Sequence, residues 1–318
     1  MAGASIRTPG QEGVGTNPLQ LFVQPLGHAE QARGVLGIVA QLSIRESEQD
    51  WRLHTERICR AALSDTRVRY ERSEVNRGAT WNYNRLVDLA SAPLFKWAAH
   101  DDLLAPSFIR ACVEELDRAP HVVLAYPRTI LIDHDGQIID AEFEDGLDLR
   151  DEDPLTRFRR YLVHPGEQHP IFGVIRTEPL RQTGLIANCW GGDQVVLASL
   201  LLQAPIREVS DRLFLRRYHP GTSLAANASP AEVARWYDPT KRGRTALPRT
   251  RLTVELAGVA LRADLPLTTR LRCVMAVATD WTPRYWRVMA GEVRRTVRAA
   301  VRERRSRRSN FDRQGALS

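Results

Sequence analysis

The feature that most constrains the fold is an apolar run at residues 94–98 that leads into Asp101 and Asp102. A short apolar run predicts a buried strand, and a proline-led helical pattern follows at 106–118. Strand and helix patterns alternate over residues 68–133, which predicts an α/β domain with a largely parallel sheet. Ligands of such sheets gather at the carboxyl ends of strands, and the aspartate pair stands at one.

Two adjacent carboxylates repel each other unless a cation lies between them. Mg²⁺ or Mn²⁺ would bind one or both carboxylates together with phosphate oxygens, so the pair suggests a metal-bridged diphosphate. Alternatively, Asp102 caps the following helix, or both aspartates are solvated carboxylates in a loop. The pair alone does not decide between these readings.

Three segments in and around the aspartate pair make the pattern more specific than the pair alone. They read VRYERSEVNRGATWNYNRLVDLA, then FKWAAHDDLLAPSFIRACVEELD, then VVLAYPRTILIDHDG. In this order they resemble glycosyltransferase family 2, whose members have the GT-A fold, a mostly parallel sheet flanked by helices. The resemblance covers roughly residues 55–225. It implies an inverting enzyme that moves a sugar from a nucleotide-diphosphate donor to a hydroxyl acceptor, such as a cell-envelope glycan or glycolipid.

The resemblance implies a metal site for Mg²⁺ or Mn²⁺. Asp102 matches the last aspartate of the family's Asp-x-Asp and would be the chief ligand. Asp101 would contact the ribose or assist the metal, and His100 replaces the first aspartate. His219 would contact the metal or a phosphate, although a lone histidine is more often a structural hydrogen-bonding residue.

Further residues are assigned to the donor by the same resemblance. Asn76 and Gly78 match a loop near the nucleotide, where glycine allows close backbone approach. Arg77 could face a phosphate or solvent, and Arg217 lies in a late loop that closes over the diphosphate.

On the acceptor side, Asp193 stands where the family has its catalytic base, which removes a proton from the acceptor hydroxyl. Its place after two glycines equally suits a helix N-cap. His169 would shape the acceptor side, and Trp190 could stack on a sugar ring or belong to the core.

The carboxyl end is strongly basic. The net charge of the 318-residue chain is +7, and residues 284–308 carry many arginines with valines at helical spacing. This predicts a basic amphipathic helix that contacts an anionic membrane surface, or a solvated tail. No aromatic stacking pattern accompanies it, so nucleic acid is not an expected partner. No signal peptide or apolar membrane span is recognisable, which predicts a cytoplasmic protein, peripheral at the inner face of the membrane.

Three regions are expected: an atypical, partly disordered segment at 1–54, the GT-A-like domain at 55–225, and a helical, arginine-rich extension at 226–318. Residues 29–42 predict a helix. The first 54 residues lack the family's opening strand and Asp-rich turn, for which a shifted reading frame is one hypothesis. The alternative function is therefore a catalytically impaired GT-A-like protein that acts as a binding module, or the product of a damaged gene.

Overall fold

The computed structural model describes residues 37–41, 57, 60–61, 63–65, 68–71, 73, 75–99, 101–219, 229–240 and 247–315. His100 and most of the atypical segment 1–54 lie outside these residues, so the expectations about them stay untested. Within the described part, no helix combines the length and the apolar character needed to cross a membrane.

The described residues form one sheet flanked by helices. Its strands are β1 (Gly37–Gln41), β2 (Leu94–Ala99), β3 (Leu103–Leu104), β4 (Leu124–Ile132), β5 (Ile138–Asp140), β6 (Val174–Arg176) and β7 (Ile206–Arg217). The α-helices are α1 (Ala79–Leu89), α2 (Phe108–Arg118), α3 (Pro154–Val163), α4 (Thr177–Arg181), α5 (Gly192–Gln203), α6 (Pro230–Tyr237), α7 (Pro248–Arg262), α8 (Leu267–Ala276) and α9 (Thr282–Gly315). A 3₁₀ turn at His169–Phe172 precedes β6, and a π-helical turn at Val277–Trp281 joins α8 to α9.

The order of strands across the sheet is β1-β2-β6-β4-β7-β3, with β5 paired to β4. The pairs β1–β2 and β4–β7 are parallel, whereas the pairs made by β6, β3 and β5 are antiparallel. The predicted α/β fold with flanking helices is confirmed, and the sheet is mixed, because the two long parallel pairs are joined by four short antiparallel ones. The antiparallel β3–β7 pair brings the end of β7 beside the segment that follows β2, which places the aspartate pair next to Arg216 and Arg217.

Two predicted elements differ from the structure. Residues 37–41 form strand β1, not part of a helix, because they pair in parallel with Phe95–Ala99 of β2. The apolar run at residues 170–175 also predicts a strand, but the strand begins only at Val174, after the 3₁₀ turn.

The main core is continuous across the sheet domain and the carboxyl-terminal helices. Trp97 of β2, Leu197 of α5, Leu256 of α7 and Trp281 of the π-helical turn belong to the same buried cluster. Helix α5 packs against both α3 and α7. The extension beyond residue 226 is therefore attached through shared apolar surface, which orders the loop in front of α5.

Candidate active site

Both oxygens of the Asp102 carboxylate accept hydrogen bonds from the end of β7. Its Oδ2 accepts a hydrogen bond from Arg216 Nη1 at 2.6 Å, and its Oδ1 accepts one from the Arg217 backbone N–H at 3.0 Å. Only 2% of the Asp102 side chain is exposed. Burial raises the pKa of Asp102, and the Arg216 guanidinium opposes that shift.

Asp101 lies on the other side of the same junction. Its Oδ2 is 3.1 Å from His219 Nε2, so the structure brings together two of the predicted metal ligands. The Arg217 guanidinium donates to three backbone carbonyls, those of Asp101 at 2.8 Å, Asp133 at 2.7 Å and His134 at 2.9 Å. Arg217 therefore ties the aspartate pair to the β4–β5 turn, and its predicted contact with the donor stays a prediction.

Asp193 is the second residue of α5 and is partly buried. The helix cap is Gly191, so Asp193 is not the cap; its Oδ1 accepts a hydrogen bond from the Gln194 N–H at 2.9 Å. Burial raises the pKa of Asp193. The backbone N–H groups of Gln194 and Asp193 and the positive charge of Arg216 oppose that shift. A raised pKa makes its carboxylate a stronger base than an exposed aspartate, as a general base requires.

Tyr83 of α1 links Asp193 with the aspartate pair. Burial raises the pKa of Tyr83; the positive charge of Arg216 opposes this shift, whereas the negative charges of Asp193, Asp101 and Asp102 add to it. All four charged groups therefore act on one phenol. The predicted base and the predicted diphosphate site border the same polar region.

The loop at residues 76–78 packs against α6. Asn76 Oδ1 accepts a hydrogen bond from the Gly78 N–H at 2.9 Å. Gly78 has φ +84°, and a Cβ there would lie 2.3 Å from the carbonyl oxygen of Tyr237. The glycine therefore allows the loop to approach the backbone of Tyr237 closely. The role of this loop in nucleotide binding stays a prediction.

Arg77 lies at the edge of a cleft. Its guanidinium stacks over the Trp81 ring at 4.8 Å, and the cleft of about 670 Å³ also includes Arg85 and Asp88. Residues two apart on a helix do not face each other, so Trp81 points away from the Tyr83 region.

The two residues predicted for the acceptor side are enclosed by other side chains. His169 is buried, with Nδ1 2.9 Å from Asp145 Oδ1, and lies beside the rings of Phe143 and Phe214. Trp190 is partly buried beneath the Arg249 guanidinium, which lies 4.2 Å from its ring centroid. Neither contact tests a role towards an acceptor.

The predicted metal ligands do not fit a divalent ion in the arrangement seen. Two carboxylates and an imidazole have suitable chemistry, but both oxygens of Asp102 are bound by Arg216 and by the Arg217 amide. Among the described residues, a set of three ligand-type side chains within 4.8 Å occurs at Asp133, His134 and Asp135, in the exposed β4–β5 turn. Arg216 would compete with an ion for the Asp102 carboxylate, and metal binding by the predicted residues stays a prediction.

Two residues of this region were not identified from the sequence. Arg216 was overlooked because adjacent arginines give no sign of which one faces the acidic pair, although strand alternation separates them. Tyr83 could have been noticed from the polar WNYN stretch of α1. Its neighbour Asn84 also matters, since it exchanges hydrogen bonds with the backbone of Ile186 in the loop that leads to Asp193.

Residues 52–180 match the sequence profile of Glycosyl transferase family 2. This match confirms the predicted resemblance to that family over residues 52–180, and the architecture described above is that of a GT-A-like α/β domain. The matched segment includes Asp101 and Asp102 and ends before Asp193. Comparison with the curated proteins finds no match.

Similar solved structures include three of TarS from S. aureus. The structure of TarS residues 1–349 has a TM-score of 0.48 and 12% identity, covering 77% of this chain and 62% of TarS 1–349. The complex with UDP-GlcNAc has a TM-score of 0.49 and 12% identity, covering 77% and 63% of the two chains. The complex with UDP has a TM-score of 0.46 and 13% identity, covering 78% and 62%. The chain thus spans less than two thirds of these structures.

Proposed function

We propose that the protein is an inverting glycosyltransferase that uses a nucleotide-diphosphate sugar as donor and a hydroxyl group as acceptor. The observation that carries this proposal is the 2.6 Å ion pair between Arg216 and Asp102, beside Asp101 and His219, at the end of a strand within the segment that matches the family. A basic carboxylate and a buried guanidinium in one region are what a single displacement at a sugar phosphate requires.

In the proposed reaction, Asp193 accepts the proton of the acceptor hydroxyl as its oxygen attacks the anomeric carbon. The bond from that carbon to the donor phosphate breaks in the same step, and the electron pair leaves with the nucleotide diphosphate. Attack opposite the leaving group inverts the configuration. The raised pKa of Asp193, caused by burial, strengthens it as the proton acceptor.

Arg216 is proposed to bind the leaving diphosphate. A guanidinium has five N–H donors, and one of those of Arg216 is used by Asp102. The remaining donors suit phosphate oxygens, and 22% of the Arg216 side chain is exposed, which leaves it accessible to a ligand. Asp101 and the loop Asn76–Gly78 with Arg77 are proposed to contact the nucleoside.

Mg²⁺ or Mn²⁺ remains a proposed cofactor with Asp102, Asp101 and His219 as its ligands. When bound, such an ion would neutralise charge on the leaving diphosphate. Because the side chains as arranged do not form its site, the steps above are assigned to residues of the chain. The experiment below therefore compares added metal with a chelator.

A thermal-shift panel of nucleotide diphosphates, including UDP and UDP-GlcNAc, tests the donor, since a bound ligand raises the melting temperature. Each is measured with Mn²⁺ and with EDTA, and donor hydrolysis is followed in parallel. D193N is expected to keep nucleotide binding and to lose hydrolysis by about 10²–10⁴-fold. The matched control, D211N, changes an exposed aspartate of β7 and should behave as the wild type.

The outcomes separate the possible functions. A wild type that binds no nucleotide under either condition would contradict the proposal and favour the non-catalytic binding module. Equal hydrolysis by D193N and wild type would remove Asp193 as the base while leaving the donor site in place.

A membrane-associated acceptor, such as a cell-envelope glycolipid, is proposed from the outer face of α9. Trp286, Val293, Val297 and Val301 are exposed by 44–56% and recur at positions seven or four apart, so they form one stripe. Arg287, Arg294 and Arg298 each follow a stripe residue by one position. An apolar stripe beside a basic row suits anionic lipid at the inner face of a membrane.

Sedimentation with vesicles tests this surface. The protein should pellet with phosphatidylglycerol vesicles, less so at high salt, and should stay in solution with phosphatidylcholine. V293D/V297D and R294Q/R298Q should each weaken binding, whereas V254D, which changes a valine of α7 that is 65% exposed, should not. Equal binding to both lipids, or binding to neither, would contradict an anionic-lipid contact.

A further inference from the structure

The loop that carries Asp193 rests directly on the carboxyl-terminal helices, which lie outside the segment matched to the family. We infer that Arg249 of α7 is a positioning residue that holds this loop, and with it Asp193, in the catalytic arrangement. The inference rests on the proposed function, since it assigns Asp193 the role of base. It makes the carboxyl-terminal helices part of the catalytic apparatus.

Arg249 is stacked between aromatic rings that belong to different parts of the chain. Its guanidinium carbon lies 4.2 Å from the centroid of Trp190, 4.0 Å from that of Tyr285 and 5.5 Å from that of Trp281. Trp190 is three residues before Asp193, whereas Tyr285 is on α9. A guanidinium this close to two aromatic rings attracts both of them, so Arg249 links the loop to α9.

The start of α7 is itself held in place by a buried carboxylate. Glu292 of α9 is 2% exposed and accepts hydrogen bonds from the N–H groups of Arg249 and Thr250, both at 2.9 Å, and from the Thr250 hydroxyl at 2.7 Å. These N–H groups begin the helix and have no partner within it. The backbone of Arg249 is therefore fixed, which limits the positions that its side chain can take.

The loop backbone also touches α7. Gly191 has φ +76°, and a Cβ there would lie 2.9 Å from a methyl carbon of Leu252, which is fully buried. On the opposite side, Asn84 of α1 holds Ile186 through two hydrogen bonds. Between these supports, the Arg249–Trp190 stack is a contact that a side-chain change can remove without altering the loop backbone.

The test compares R249K and R249M with wild type. Lysine keeps the charge without the planar stack, and methionine keeps the apolar stem without the charge. The matched control is R251A on the same helix, where a partly exposed arginine lies 3.8 Å from Glu255. R249A completes the series if it folds, and the other two variants carry the test if it does not.

We expect R249M to lower kcat by about 10–100-fold, as a misplaced catalytic group does, with donor KM within about threefold of wild type. The kcat of R249K should lie between those of R249M and wild type, and the kcat of R251A should match that of wild type. In R249M the acid limb of the kcat profile should move to lower pH, because a loosened loop hydrates Asp193 and returns its pKa towards its ordinary value. A loss of stability alone would not move that limb.

Hydrogen exchange of residues 187–193 gives a readout independent of activity. Exchange should rise in R249M and stay unchanged in R251A. If R249M keeps kcat within twofold of wild type, or if exchange of the loop is unchanged, the positioning role is overturned. A wild type without nucleotide binding or transfer would refute the proposed function instead, and the exchange result would still decide whether Arg249 anchors the loop.

Discussion

Lys96 is a lysine inside the hydrophobic core of the sheet. It is 1% exposed, its ammonium donates to the Trp97 carbonyl at 2.9 Å, and it lies over the Phe108 ring at 4.7 Å. One hydrogen bond and a ring face replace the water that a charged lysine would otherwise bind. Burial accordingly lowers the pKa of Lys96 to about 8 from the ordinary value of 10.5.

This shift predicts a pH dependence of stability. The unfolded chain binds the lysine proton up to about pH 10.5, whereas the folded chain releases it near pH 8, so the cost of burying the charge is full below pH 8. That cost is on the order of 3 kcal/mol. The free energy of unfolding of wild type should therefore rise relative to K96M between pH 8 and 10.5. Urea unfolding at pH 7, 9 and 10.5 measures it, and parallel curves would contradict the burial of a charged lysine.

Arg216 and Arg217 illustrate what single residues reveal of the site before the structure is known. The apolar strand before the aspartate pair draws attention to it, whereas the role predicted for Asp193 follows from the resemblance to the family. The sequence does not separate two neighbouring arginines. Their roles differ because successive residues of a strand point to opposite faces, so Arg216 pairs with a carboxylate while Arg217 binds carbonyls.

At the scale of elements, periodic segments were predictable and short apolar ones were not. Helix α2 has the length and apolar spacing that distinguish a helix from a strand. Residues 37–41 are a short apolar run, for which periodicity does not choose between the two, and only pairing with β2 makes it a strand. The strand directions were also unpredictable, because they depend on partners distant in the sequence, such as β3 with β7.

The turn before α1 gives a sharp prediction at this scale. G78A places a methyl group 2.3 Å from the Tyr237 carbonyl oxygen at a positive φ, so the loop and α6 must separate. We expect a loss of roughly 2–4 kcal/mol in the free energy of unfolding, from backbone strain and overpacking together. Chemical denaturation measures it.

G184A is the matched control, because a Cβ at Gly184 meets no atom within 4 Å. Its stability should stay within about 0.5 kcal/mol of wild type, as for other surface changes. Similar losses in both variants would mean that the contact between Gly78 and Tyr237 does not carry the effect.

At the scale of the whole molecule, the sheet and the carboxyl-terminal helices share a core. The sequence suggested an appended extension from residue 226, because composition changes there. The change in composition does not reveal that Leu252 and Trp281 are buried in the same cluster as the sheet. A continuous core of this kind predicts that both parts unfold together in one transition.

A substitution at Glu292 tests whether the sheet and the carboxyl-terminal helices unfold together. E292A removes the carboxylate that receives three hydrogen bonds at the start of α7 and leaves two buried N–H groups without a partner. The free energy of unfolding should fall by about 2–4 kcal/mol, with a single transition preserved in calorimetry. E255Q, on a partly exposed carboxylate of α7, should change little. Two separate transitions in E292A would show that the helices form an independent unit.

The burial of Lys96 has a consequence for handling the protein. The sequence contains two lysines, Lys96 and Lys241, and 1% of Lys96 is exposed. An amine-reactive reagent can therefore modify Lys96 only when the strand it belongs to becomes accessible. The rate of its acylation, followed by peptide mass mapping, therefore measures how often the interior opens. Ligands that stabilise the fold should lower that rate.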